Sequence, residues 1–146
     1  MAAIRQSAEV NKASQRKGRD SRFRSDVLLS YRFTCALTGY FLNTTKENMV
    51  EAAHIHQHAD SGNDDPRNGL ALTPDARLLF DRGLWTAEPC AGEFVVLVAG
   101  EHFKDAAPDG RSLRDRHEKP LFFHGVSGLR PDPRHLAWHR RNRFVG

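Results

Sequence analysis

The stretch from Met49 to Gly83 constrains this chain more than any other, because three local signals follow one another in it without slack. MVEAAHI (49–55) is a short apolar run with strand character. HQHADSGNDDPRNG (56–69) is a polar loop dense in turn residues, and loops of this length in compact domains are usually functional or disordered. LTPDARLLFDRG (72–83) then shows a set of agreeing helix signals: Thr73 at the N-cap, Pro74 at N1, Asp75 in the first turn and Gly83 just past the end. Strand, loop and helix in this order bring His54 at the strand end, Asn68 after the loop and the helix of 73–82 close together.

Around this segment the chain reads as one domain, since 146 residues is an ordinary domain length. Residues 1–19 are polar and basic, a flexible arm, and residues 20–146 form the folded domain. Phe23, Val27, Leu28 and Tyr31 recur at helical spacing through RDSRFRSDVLLSYRF. In CALTGYFLN (35–43) the pair Thr38-Gly39 signals a turn. GLWTAEP and EFVVLVAG predict two strands joined by a turn around Pro89 to Gly92, and LFF (121–123) predicts another short strand. Asp132-Pro133 opens a last helix through PDPRHLAWHRRNRF, with Leu136 and Trp138 pinning it to the core.

Charge points to a polyanionic partner. Lys and Arg total 22 against 18 Asp and Glu, a formal charge of +4, and the pI is about 9.4. Two cysteines, Cys35 and Cys90, form no CxxC pair, which suits a reduced, cytoplasmic setting. No apolar run approaches the roughly 18 residues of a membrane span, and the start has no hydrophobic signal segment. The expected partner is nucleic acid or another anionic surface, membrane insertion drops out, and oligomeric state is left open.

Five pieces in order, YRFTCALTG, VEAAHI, DDPRNGLAL, FDRGLWT and HLAWHRRNRF, resemble the HNH, or ββα-metal, endonucleases, in the branch whose signature histidine sits in EAAHI. The resemblance covers roughly residues 20 to 145. It implies an α+β fold: a ββα-metal core, a small antiparallel sheet, and flanking N- and C-terminal helices. It also implies metal-dependent hydrolysis of DNA phosphodiester bonds. His54 matches the general base and Asn68 the residue that fixes the loop and orients the imidazole. A histidine within AAHI would by itself more often be a satisfied core or surface residue than a catalytic one, and Asn68-Gly69 alone is a turn dipeptide.

The chain also departs from that family's pattern. The helix position that carries a third signature histidine, a metal ligand, holds Arg77, whose guanidinium has no lone pair to give a cation. Ala53 precedes the base where many relatives place a ligand. Asp81 remains as the ligand implied by the resemblance, one turn after Arg77, suited to Mg²⁺ or Mn²⁺ and conceivably Ni²⁺. His56 and His58 are candidate replacement ligands. Alternatively Arg77 pairs with Asp81 and supplies a fixed positive charge, giving a DNA-binding or regulatory module without cleavage. A third reading leaves Arg77 as a solvated helix residue.

Arg111, Arg114 and Arg116, with Arg134, Arg140, Arg141 and Arg143 on the last helix, are candidate phosphate contacts, although such a run equally suits a solvated face. Cys35 stands where many HNH domains begin a zinc knuckle, but Thr38 replaces its partner, so no structural zinc is expected.

Overall fold

The computed structural model describes residues 21–57, 64–108, 112–124 and 129–146. The arm of 1–19, His58 and Arg111 therefore lie outside the described residues. Helix α1 covers residues 21–30 and buries Phe23, Val27 and Leu28, the stripe its spacing predicts. It ends where Arg32 and Phe33 adopt positive φ values of 50° and 55°. Tyr31, at the turn, is also buried.

Strand β1 (Glu51–His54) pairs antiparallel with β2 (Gly69–Leu72) in a register that sets His54 opposite Gly69 and Glu51 opposite Leu72. The apolar run GLAL, which the sequence reading did not separate as a strand, is wholly buried. Gly69 has a specific reason to lack a side chain: a Cβ there would come within 2.5 Å of Val27 and 2.9 Å of Phe23. Close approach of α1 to β2 is what seats Phe23 beneath the end of β1.

Helix α2 (Pro74–Asp81) follows directly, with Ala76 and Phe80 turned into the core and Trp85 Nε1 donating to the Ala76 carbonyl at 3.0 Å. Thr73 is the N-cap residue, but its side chain makes no capping bond; its hydroxyl lies 3.6 Å from the buried Cys35 Sγ. Strand, strand and helix together form the expected ββα unit.

Strands β3 (Trp85–Cys90) and β4 (Glu93–Val98) make a second antiparallel sheet around a turn at Ala91 and Gly92, both at positive φ. The expected strand at 121–123 is absent: Leu121 N donates to the Phe94 carbonyl at 2.8 Å and the preceding Pro120 makes an isolated bridge with Val95, but no ladder continues from them. Pro120 has no N–H to extend a ladder, and Phe122 N donates instead to the Ala36 carbonyl at 2.8 Å. Helix α3 (Pro133–Asn142) begins at Asp132, whose side chain accepts from Arg134 N, and buries Leu136 and His139. The fold is α+β, with two small antiparallel sheets and three α-helices among the described residues. No helix among them is long and apolar enough to cross a membrane.

Candidate active site

His54 closes β1, half-buried, with one face and one edge of its ring met by different parts of the chain. Phe23 from α1 stacks on its ring, centroids 4.0 Å apart and planes 5° from parallel. Asp64, just before the turn that leads into β2, brings Oδ1 to 3.4 Å from His54 Nε2. A carboxylate at Nε2 favours the tautomer protonated there and puts the basic lone pair on Nδ1.

Asn68 is fully buried at the end of a short 3-10 turn, Pro66–Asn68. Its Oδ1 accepts from His56 N at 2.8 Å and its Nδ2 donates to the His56 carbonyl at 2.9 Å, while its own carbonyl accepts from Ile55 N. The amide thus clamps the backbone immediately beyond His54. That clamp also ends the strand, so His56 does not continue the face of His54. Its ring instead stacks on Trp138 of α3, centroids 3.9 Å apart, with His135 6.0 Å away.

On the helix side, Arg77 does not stand alone. Its Nη1 donates to Glu51 Oε2 at 3.0 Å, and its Nε lies 3.8 Å from Asp81 Oδ2. Residues alternate along a strand, so Glu51 shares a face with Ala53 and meets α2 there. Partial burial raises the Asp81 pKa; Arg77 opposes the rise, Glu51 adds to it, and Arg143 opposes it more weakly. The sequence reading missed Glu51, Asp64 and Phe23. Glu51 and Asp64 lay within the very motifs it quoted, VEAAHI and DDPRNGLAL, and Phe23 had a visible role only as core.

The candidate phosphate-binding arginines divide. Arg114 spends its guanidinium on its own chain: Nε lies 3.2 Å from Asp105, and Nη2 donates to the Gly100 carbonyl at 2.5 Å and to that of Phe103. Arg116 donates to the Pro120 carbonyl and covers the Phe122 ring, 4.8 Å from its centroid. Arg140, half-buried, straps α3 to β3 through the Ala87 carbonyl at 2.8 Å. Arg134 pairs with the N-cap Asp132 at 2.8 Å. Arg141 is exposed, and Arg143 lies 5.2 Å from the Trp138 ring centroid. Both sit at the end of α3.

Residues 35–87, which contain the whole ββα unit, match the family model of the HNH endonucleases. Among solved structures, the chain is similar to one described as a modification dependent TagI restriction endonuclease, with a TM-score of 0.61 and 20% identity. The similarity covers 86% of this chain but 38% of that one, and at this identity it is a likeness of fold. No curated protein matches. In the matched segment the chain is similar to the HNH endonucleases, and in fold to a restriction endonuclease.

The divalent cation implied by that class does not fit the donors described. Arg77, expected at the position of a third signature histidine, holds both neighbouring carboxylates, Glu51 and Asp81, in ion pairs. Among the described residues no group of three or more His, Cys, Asp or Glu side chains could hold a metal ion. Asp81, the ligand the resemblance implies, is engaged by the Arg77 guanidinium, and the ring of His56, a candidate replacement ligand, is stacked on Trp138.

Proposed function

We propose that this chain is an HNH-type endonuclease domain that hydrolyses DNA phosphodiester bonds, with His54 as general base and Asn68 as the residue that positions it. The observation that carries the reading is the setting of His54 at the end of β1 in a ββα unit, stacked on Phe23 and backed by Asp64. General-base catalysis requires an imidazole held at about 2.6 to 3.2 Å from the water it deprotonates, and these contacts restrict the ring's orientation. The proton passes from water to His54, the resulting hydroxide attacks phosphorus, and the P–O bond to the leaving sugar oxygen breaks, that oxygen taking a proton from solvent. DNA as substrate is supported by the family match at 35–87, by the likeness to a restriction endonuclease and by the basic charge.

The test is relaxation of supercoiled plasmid by wild type and His54→Ala in Mg²⁺, Mn²⁺, Ni²⁺ or EDTA. Nicking by the wild type and none by the variant is expected. Equal nicking by both would place the base elsewhere. A second reading, a DNA-binding module that does not cleave, is favoured by the ion pairs of Arg77 across Glu51 and Asp81. It predicts DNA binding with no nicking in any of these media.

A further inference from the structure

The geometry points to Arg77 as a built-in cation of the ββα site, which contacts a DNA phosphate directly and removes the need for a divalent metal in DNA binding. The inference rests on the reading above for its ligand, DNA, but not on cleavage.

Three observations carry it. Arg77 projects from α2 at the third signature position, where its guanidinium is anchored by Glu51 at 3.0 Å and more loosely by Asp81 at 3.8 Å. The side chain is 39% exposed, and among the described residues no bond occupies Nη2. A guanidinium has five N–H donors in a rigid fork, so one edge anchored to the protein leaves another able to meet phosphate oxygens.

Charge balance gives the same answer. Glu51 and Asp81 are offset by Arg77 in contact with both, and by Arg143, which also acts electrostatically on Asp81. A site for a divalent cation needs uncompensated negative charge and several oxygen ligands. Here the carboxylates are already compensated, and an entering cation would meet a guanidinium that cannot deprotonate. An anionic phosphate instead meets a cluster with no net negative charge and a guanidinium with N–H donors to spare.

The experiment is fluorescence anisotropy with the full chain and a short labelled duplex, in EDTA and in Mn²⁺, across a salt series. Wild-type affinity is expected to agree within about twofold in the two media, and Mn²⁺ is expected to leave the wild-type melting temperature unchanged. Arg77→Ala should weaken binding about tenfold and reduce the slope of log affinity against log salt by about one, the signature of one lost phosphate contact. Arg77→Lys keeps the charge, so it should keep the slope while losing part of the affinity with the fork. Glu51→Gln, which frees the guanidinium, should bind as tightly as wild type or more so.

A wild type that binds DNA only with Mn²⁺, or that is stabilised by Mn²⁺, overturns the inference while leaving the nuclease reading intact. So does Arg77→Ala with wild-type affinity and slope. If Arg77→Ala fails to fold, an Arg77→Lys slope smaller by one, or weaker binding by Glu51→Gln, overturns it. Absence of DNA binding in both media overturns the inference and the nuclease reading together.

Discussion

Phe80 and His139 stack face to face, ring centroids 3.7 Å apart and planes 5° from parallel. The pair joins α2, which carries Arg77 and Asp81, to the last helix. His139 Nε2 donates to the Phe80 carbonyl at 3.0 Å, and Nδ1 accepts from the Thr86 hydroxyl at 2.8 Å. The imidazole is fully buried and neutral, with both nitrogens satisfied. Through it the C-terminal helix becomes part of the scaffold of the ββα unit.

Stability should consequently fall on mild acidification. Burial pushes the His139 pKa down from 6.5 to about 4, against the bond to Phe80, with Arg143 and Arg140 adding to the fall. The folded pKa is depressed, so the unfolded chain binds the proton more readily. The contribution of His139 is therefore complete above about pH 6.5 and declines as pH falls toward 4, by an amount on the order of 3 kcal/mol in all. Urea unfolding at pH 7 and pH 5 measures it. In His139→Gln, which does not titrate there, the difference between the two pH values should shrink.

Asn68 links sequence and geometry in another way. Removing its amide in Asn68→Ala leaves His56 N and the His56 carbonyl without their buried partners, a cost of about 2 to 4 kcal/mol. Asn68→Asp keeps an acceptor for His56 N but sets a carboxylate against the His56 carbonyl, so it should be at least as damaging at pH 7. Thermal melting of the two variants checks the order. An Asn68→Asp protein as stable as wild type would show that the amide's donor is not needed.

Much of this was legible in the chain. Pro74 and Gly83 bound α2 because proline at N1 and a positive-φ glycine act locally, although the N-cap Thr73 makes no capping bond, and Phe23, Val27 and Leu28 mark α1 by spacing alone. β2 was harder, because a four-residue buried run such as GLAL has no alternation and shows its character only once paired with β1. The partners of Arg77 and His54 were harder still. Glu51 is 26 residues from Arg77, and Asp64 reaches His54 only because the loop folds back, so neither contact has a local signature. The sequence reading weighed Arg77 against Asp81 from their spacing on one helix turn, yet Glu51 makes the shorter bond.

Two glycines at positive φ should differ sharply when substituted. Gly83, at φ 74°, ends α2, and a Cβ there would lie 1.9 Å from the Arg143 carbonyl oxygen. Gly92, at φ 83°, sits in the β3–β4 turn with open space around it. Gly92→Ala should cost about 1 to 2 kcal/mol, the backbone penalty alone. Gly83→Ala must add displacement of the chain after α3, where Val145 N also donates to the Gly83 carbonyl, and should lose clearly more. Chemical denaturation of both proteins makes the comparison. Equal losses would mean that the C-terminal segment yields freely.

The contact between Phe23 and His54 can be tested for orientation separately from stability. Phe23 is 4% exposed, so Phe23→Ala would open a cavity and confuse the two. Phe23→Leu keeps apolar volume, removes the flat face and should cost about 1 to 2 kcal/mol. In the wild type, an aromatic ring stacked 4.0 Å below the imidazole shields its ring protons. The His54 Hε1 and Hδ2 signals should therefore lie upfield of their usual positions and move back in Phe23→Leu, whether or not the protein cuts DNA. A wider range of imidazole orientations should also lower single-turnover nicking by about tenfold with little change in DNA affinity, because the base acts on the attacking water and not on ground-state binding. Unmoved His54 resonances would show that the strand end and Asp64 hold the ring without Phe23, and nicking at the wild-type rate in a protein whose resonances had moved would show that the orientation set by the stack is not the one used in the reaction.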